Sequence, residues 1–148
     1  RELPVEQVPT GPGRTSLAKG EVISAITLPP RGKNGGDAYL RFIPRTEMDI
    51  AVVGCAVSLR LEGDKVVEAR VALGAVAPTV ILSESAAKAI IGTTLDDAAL
   101  DALAKAAEGA AKPISDKRGT KEFRIDVAGV LARRAAKIAY DRAKGLKA

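Results

Sequence analysis

The chain has 148 residues, which is enough for one domain with a sizeable hydrophobic core, and it carries a formal net charge of +5 at pH 7. It has no His and a single Cys, so it lacks the commonest general base and cannot form an intramolecular disulfide. Aromatic residues make up only 3% of the sequence, so Ala, Val, Leu and Ile must build the core.

The first 45 residues are rich in proline, and we expect extended segments and turns there, with one short strand over about residues 22–28. Residues 32–36 (Gly-Lys-Asn-Gly-Gly) read as a flexible connector between two parts of the chain. No apolar run approaches transmembrane length, and no signal peptide is visible at the N-terminus. Because residue 1 is Arg, we expect the chain to be a piece of a longer polypeptide.

Two strands and a hairpin follow the connector. Residues 38–42 are expected to form a short strand and residues 50–61 a long one. Gly63 supplies the positive φ of a tight turn, and residues 66–73 form the returning strand. The inward positions are predicted to be Ala51, Val53, Cys55, Val57, Leu59 and Leu61 on the first strand, and Val67, Ala69, Val71 and Leu73 on the second. An inward Cys55 favours a buried hydrophobe over a reactive thiol.

The second half of the chain is helical in pattern. Ser83 is expected to cap a helix over 84–91 that Gly92 closes. Thr94 and Asp97 resemble a capping box for a helix that reaches about Glu108 and stops at Gly109.

A longer helix is expected to begin at Thr120 and to end near Lys144. Its apolar stripe is predicted to be Phe123, Val127, Val130, Leu131, Ala135 and Ile138. Strands followed by helices predict an α+β fold: a small antiparallel sheet of about three or four strands with helices packed on one face.

No catalytic motif is present. The sequence has no nucleophile elbow, no phosphate-binding Gly-Lys-Ser/Thr loop, no Gly-x-Gly-x-x-Gly after a strand and no zinc-ligand spacing, so we assign no catalytic and no metal-binding residue. The candidates for ligand contact are Arg41 and Arg45, on a loop before the long strand. They either pair with Glu47 and Asp49 or reach an anionic partner outside the domain.

Several motifs, in order along the chain, carry a family resemblance. Residues 38–61 contain an aromatic, a basic residue, an Arg, and then an Asp-Ile-Ala entry into a long strand. Residues 73–78 (Leu-Gly-Ala-Val-Ala-Pro) and 116–120 (Asp-Lys-Arg-Gly-Thr) match two further elements, although Phe123 stands where Tyr is usual. Together they resemble the C-terminal domain of the FAD-binding (medium) subunit of molybdenum hydroxylases, the carbon monoxide dehydrogenase and xanthine dehydrogenase family.

The resemblance implies a function for the longer polypeptide. Residues 1–33 would be the tail of an upstream FAD-binding domain and its linker, and residues 34–148 the C-terminal domain. That domain would wall the FAD, which passes electrons from a molybdenum cofactor and iron–sulfur clusters on partner subunits to an external acceptor. Arg41 would contact FAD and Arg45 would shape the loop near it. The enzyme would be a cytoplasmic oxidoreductase, and the isolated chain would not be catalytic.

A second class of function follows from the basic C-terminal part of the chain. A small basic module could bind nucleic acid or a protein partner without any redox role. However, Glu122, Asp126 and Asp141 are spaced to pair with Lys or Arg on the same helix, and aromatics for base stacking are absent from the basic face. We therefore expect no nucleic-acid partner. Asp116, Arg118 and Arg124 are expected to form an ion-pair lock at the start of the last helix.

Overall fold

A computed structural model describes residues 1–45 and 50–146 of the chain. The N-terminal part holds a short 3-10 helix (Val5–Gln7) and a two-stranded sheet of β1 (Pro9–Gly11) and β2 (Arg14–Thr15). An antiparallel sheet in the order β3-β4-β5-β6 follows, made of Gly35–Phe42, Val53–Glu62, Lys65–Gly74 and Ile81–Leu82. The helices α1 (Glu84–Ile90), α2 (Asp97–Ala110) and α3 (Lys121–Ala143) come after the strands. The predicted α+β fold is confirmed.

The β4–β5 hairpin forms as the sequence predicts, with Gly63 at φ +57° in its turn. The inward positions of β4 from Val53 to Leu61 are buried, and Cys55 is among them. One prediction on β5 is wrong: Val66 is fully buried, whereas Val67 is only half-buried. The pairing shifts by one residue between Arg60 and Leu61, and such a bulge exchanges the two faces at the end of a strand.

The start of β4 also differs from the prediction. The strand begins at Val53, not at residue 50, and Ile50 is exposed. Ala51 is half-buried ahead of the strand, and Val52 is tied to the end of β3 by its N–H, which donates to the Phe42 carbonyl at 2.9 Å.

The caps of α1 and α3 are those predicted, but that of α2 is not. Ser83 accepts from the Ala86 N–H and Thr120 from the Phe123 N–H. In α2 the cap is Asp96, whose carboxylate accepts from the Ala99 N–H at 2.9 Å. Thr94 does not cap the helix, because Leu95, which lies between Thr94 and Asp96, has a φ of +56° and therefore is not helical. Helix α2 also runs through Gly109 to Ala110, because Gly109 keeps negative φ and need not end a helix.

The buried face of α3 is made mainly of alanines, and the predicted large residues are only partly on it: Leu131 is buried and Val127 and Ile138 are half-buried. Phe123 and Val130 are 42% and 44% exposed, while Leu131 and Ala135 of the predicted stripe are buried. The remaining buried apolar side chains are Ala128, Ala132, Ala136, Ala139 and Ala143. The reason is the close approach of α3 to β3: a Cβ on Gly36 would overlap the Ala139 carbonyl oxygen and the Ala143 nitrogen. Only small side chains fit between the two elements.

The strand predicted over residues 22–28 does not form. These residues have no regular secondary structure, and they make no hydrogen bond to any other residue that the structure describes. A strand requires a neighbouring strand for its backbone groups, and the described parts of the chain supply none at this place. No helix within residues 1–45 and 50–146 is both long enough and apolar enough to cross a membrane.

Candidate functional site

Arg41 lies on the face of the main sheet that the helices leave open, which we call the outer face. Along β3 the buried Gly36 and Ala38 point toward α3. Tyr39 and Arg41 occupy the alternate positions of the strand, so they point the other way and are exposed. Arg41 is thus held in a regular strand, as the strand predicted over residues 38–42 implies, and does not share a loop with Arg45. A strand fixes the direction of its side chain better than a loop would.

Two glycines, which we call the glycine floor, lie beside Arg41, and the Tyr39 ring covers one of them. Arg41 stands opposite Gly54 in the sheet register, and Gly54 stands opposite Gly74. The ring of Tyr39 lies over Gly54, where a Cβ would come 2.8 Å from the Tyr39 hydroxyl oxygen. Among residues 1–45 and 50–146, Arg41 has no hydrogen-bond or ion-pair partner, so its charge is available to a group outside the domain.

A shallow groove of about 390 Å³ continues the outer face next to this glycine floor. Its wall includes Tyr39, which is 62% exposed, and Leu82, which is 51% exposed. The lining residues are Asp37, Ala38, Tyr39, Ala56, Val57, Ser58, Arg70, Ala72 and Leu82. The outer face therefore presents a surface of small and apolar groups with a cation at its edge.

Arg45 occupies a different place from Arg41. Together with Pro44 it lines a cleft of about 410 Å³ against the loop that carries Asp116, Lys117 and Arg118. Glu47 and Asp49, the acidic residues considered as partners of the arginines, lie outside the described residues. The structure separates the two candidate cations, with one on a strand of the outer face and the other in a cleft.

Arg124 connects the loop that lines this cleft to the main sheet. Its side chain is buried, and its Nη1 donates to the carbonyl oxygens of Val52 at 3.2 Å and Ala75 at 3.4 Å. Its Nη2 lies 2.5 Å from Asp116 Oδ1, and Arg118 approaches the other carboxylate oxygen at 3.5 Å. The predicted ion-pair lock is confirmed, but its links to the entry of β4 and the end of β5 were not foreseen.

The electrostatics of the lock favour its charged form. The neighbouring Arg124 guanidinium lowers the pKa of Asp116, and the backbone N–H of Arg118, which donates to the same carboxyl, lowers that pKa further. Asp116 is therefore an anion at neutral pH and neutralises the buried cation.

Residues 1–45 and 50–146 contain no group of three or more His, Cys, Asp or Glu residues that could hold a metal ion. Cys55 is buried, and burial raises the pKa of its thiol to about 12, so the thiol stays protonated at neutral pH.

The basic residues of α3 are largely engaged within the domain. Arg133 pairs with Asp101 of α2. Lys144 lies 2.9 Å from Asp64 and 4.8 Å from the centre of the Tyr140 ring. Arg142 donates to the Asp37 carbonyl oxygen at 2.8 Å. These three cations anchor the long helix to α2, to β3 and to the turn of the hairpin.

This sheet, with helices on one face and a long C-terminal helix, is the fold of the C-terminal domain of a flavoprotein subunit. Residues 38–139 match the family model described as the CO dehydrogenase flavoprotein C-terminal domain, and the chain belongs to this family. Those bounds lie within the predicted 34–148.

Individual relatives agree with the family match. The chain is 40% identical over 130 residues to the carbon monoxide dehydrogenase medium chain of Afipia carboxidovorans, covering 88% of this chain and 45% of that protein. It is 32% identical over 146 residues to the xanthine dehydrogenase FAD-binding subunit of Escherichia coli, covering 98% and 50%. The chain therefore spans about half the length of these relatives.

Solved structures of related enzymes have the same fold as this chain. Reconstituted CO dehydrogenase from Oligotropha carboxidovorans superposes with a TM-score of 0.87 at 36% identity, covering 93% of this chain and 48% of that one. Quinoline 2-oxidoreductase from Pseudomonas putida 86 superposes with a TM-score of 0.84 at 26% identity, covering 93% and 47%.

The contact of Tyr39 with Gly54 and the burial of Arg124 were not predicted, and only the first of these has a signal in the sequence. Gly54 lies inside β4, and an isolated glycine in a strand often marks the close approach of another group. That signal leads to Tyr39 and to the glycine floor. The burial of Arg124 had no comparable signal, because an Arg in the first turn of a helix is ordinarily exposed.

Proposed function

We propose that this chain is the C-terminal part of the FAD-carrying subunit of a molybdenum hydroxylase, where it walls the flavin. Residues 1–33 belong to the FAD-binding domain and its linker, and residues 34–148 form the C-terminal domain. The family match over 38–139, within relatives named for FAD binding and CO oxidation, is the observation that carries the proposal. The absence of a dinucleotide-binding glycine loop in the sequence fits a wall better than a complete FAD site.

The outer face fits the role of a wall. The helices leave it open, and the exposed Tyr39, whose ring covers Gly54, lies on it together with Arg41, so a planar group could lie against the Tyr39 ring. Flavin, when bound, accepts electrons and gains negative charge on its ring system. Arg41, without a partner among the described residues, supplies a positive charge that stabilises such an anion.

Arg45 has a supporting role in the proposal. It lines the cleft with Asp116 and Arg118, so it shapes the segment between β3 and β4 near the flavin and does not contact the flavin itself. The lock of Arg124 on Val52 fixes the other end of that segment.

The partners follow from the proposed class. A large subunit with the molybdenum cofactor and a small subunit with iron–sulfur clusters deliver electrons to the FAD in the cytoplasm, and an external acceptor removes them. The substrate is oxidised on the large subunit, so this chain carries no residue that selects it. The alternative of a nucleic-acid-binding module loses its main support, because Arg133 and Lys144 are engaged in ion pairs within the domain.

The test replaces Arg41 by Ala in the intact subunit. An exposed strand arginine contributes little to the core, so we expect unchanged folding but weaker FAD retention or slower flavin reduction. The loss of a charge-assisted contact is worth about 1.5–3 kcal/mol, which is roughly a 10- to 150-fold change. Arg134→Ala is the matched control, because Arg134 is an exposed arginine on α3. Equal FAD affinity and equal reduction rates in both variants would remove Arg41 from the site.

A further inference from the structure

The glycine floor lies at one end of the main sheet. Gly74 is the last residue of β5, Gly54 is the second residue of β4, and Arg41 beside them is the last residue but one of β3. Strand ends open more readily than strand centres, and glycine loses more backbone freedom on folding than any other residue. The backbone under Arg41 and the Tyr39 ring therefore needs contacts from outside the sheet to keep one conformation.

One guanidinium group supplies such contacts from the helix side of the sheet. Arg124 Nη1 donates to the carbonyl oxygens of Val52 and Ala75, which lie directly before β4 and directly after β5. The Val52 N–H in turn donates to the carbonyl oxygen of Phe42, the last residue of β3, at 2.9 Å. The ends of all three strands are therefore connected to one buried side chain.

The preceding residue of α3 makes a second contact with the end of β3. The ring of Phe123 meets that of Phe42 edge-on, with 5.9 Å between the ring centres. Gly119 leaves room for this arrangement, because a Cβ there would come 2.9 Å from a ring carbon of Phe123. Such a pair is favourable beyond the area that it buries, so it resists a shift of the strand end next to Arg41.

The burial of Arg124 is better explained by position than by stability. Its side chain is only 5% exposed, and its Nε has no hydrogen-bond partner among the described residues. Burial of a charged group is costly, and apolar residues in place of both members of a buried ion pair often stabilise a fold equally well. The guanidinium does what an apolar side chain cannot do, because it fixes the two carbonyl groups that flank the glycine floor.

We infer that Arg124 and Phe123 are positioning residues for the flavin wall. From the helix side of the sheet they hold the glycine floor, on which the Tyr39 ring lies, and the end of β3 that carries Arg41. This inference rests on the proposed function, and neither positioning residue touches the flavin. A charge acts on a developing anion only at the right distance and angle, and a displacement of about 1 Å costs about 100-fold in favourable cases.

The first experiment measures the Kd for FAD and the midpoint potential of the flavin in the intact subunit with Arg124→Met. We expect the Kd to rise about tenfold and the potential to fall, because Arg41 is no longer held in place. Gly36→Ala is the matched control, since its Cβ strains the contact of β3 with α3 at the other end of that strand. It should leave both quantities unchanged. Wild-type values in Arg124→Met, or the same change in Gly36→Ala, would overturn the inference.

A double-mutant cycle separates positioning from a general loss of stability. If Arg124 acts through Arg41, then Arg124→Met has little further effect on the Kd for FAD in a subunit that already carries Arg41→Ala. The two effects are then not additive. Additive effects would overturn the inference.

Phe123→Ala carries the test if the Arg124→Met subunit does not fold. Phe123 is 42% exposed, so its removal costs the core less than the loss of a buried side chain. Phe123→Ala should raise the Kd for FAD, and Phe123→Tyr, which keeps the ring, should retain the wild-type Kd. A wild-type Kd in Phe123→Ala would contradict the inference.

Amide hydrogen exchange in the 148-residue chain without flavin separates this inference from the proposed function. In Arg124→Met, we expect exchange at Gly54 and Gly74 to accelerate about tenfold more than at Ser58 and Arg70, which are register partners farther along the same strands. Equal acceleration at both places would overturn the inference. Acceleration confined to the two glycines, together with an unchanged Kd for FAD in the Arg41→Ala subunit, would sustain the contacts inferred here and remove the proposed role of Arg41.

Discussion

Arg124 brings a positive charge into the interior of the domain, where three segments meet. Its guanidinium bonds the carbonyls of Val52 and Ala75 and pairs with Asp116. Ala75 itself has a φ of +62°, a conformation that costs a non-glycine residue free energy and that the surrounding contacts must maintain. These contacts of Arg124, which include the ion-pair lock with Asp116 and which we call the clamp, fix the entry of β4, the end of β5 and the loop of the Arg45 cleft relative to one another.

Removal of this clamp should be costly. Arg124→Met leaves two carbonyl groups without this donor and removes the ion pair with Asp116, and we expect a loss of about 1.5–3 kcal/mol in the free energy of unfolding. Arg134→Met, the same substitution at an exposed position of α3, should change it by less than about 0.5 kcal/mol. Urea denaturation of the two variants compares them directly. Similar stabilities for both would show that the clamp contributes nothing.

Asp116 should give the clamp a dependence on pH. Its pKa in the folded state is lowered, first by Arg124 and then by the Arg118 N–H, from an ordinary value of 3.8. Its contribution is therefore present above about pH 4 and is lost as the pH falls through the folded pKa. Asp116→Asn should be less stable than the wild type at pH 7, and the difference in Tm should shrink by pH 3. A constant difference in Tm across this range would contradict the assignment.

The Cys55 thiol should be unreactive toward alkylating reagents in the folded protein. It is fully buried in β4, and burial raises the pKa of its thiol to about 12. We expect negligible alkylation by iodoacetamide at pH 8 in buffer and complete alkylation in denaturing urea. Rapid modification without denaturant would mean that β4 opens readily.

At the scale of elements, the contact between α3 and β3 sets how closely the long helix approaches the sheet. Gly36 lies under the last turns of α3, whereas Gly109 in α2 has open space where its Cβ would be. Gly36→Ala should therefore destabilise the domain by about 1–3 kcal/mol through overpacking. Gly109→Ala should stabilise it by about 0.5–1 kcal/mol, because alanine is the better helix former. The same sign for both changes in thermal unfolding would contradict this packing.

At the scale of the whole molecule, alternation and capping residues predicted the β4–β5 hairpin, α1 and α3. They could not predict the bulge after Arg60, which brings Val66 inward in place of Val67, because a bulge depends on the pairing of two strands. The apolar stripe of α3 was predicted only in part, for a related reason. Its buried face is decided by the distance to β3, and alanine carries little periodic signal against larger residues such as Val130.

The candidate site was predictable only in part. The motif around Arg41 and Arg45 led to the family, but the separation of these two side chains between a strand and a cleft requires the three-dimensional register. The segment over 22–28 reads as a strand in sequence and is unpaired in the structure. That difference arises because a strand needs a partner, and the described residues do not contain one.

The central claim is that this domain walls a flavin that the rest of the subunit holds. The most direct measurement is flavin content by absorbance, after incubation with FAD and gel filtration, for the 148-residue chain and for the intact subunit. We expect no stoichiometric flavin on the chain alone and about one FAD per intact subunit. Stoichiometric FAD on the 148-residue chain, or none on the intact subunit, would contradict the claim.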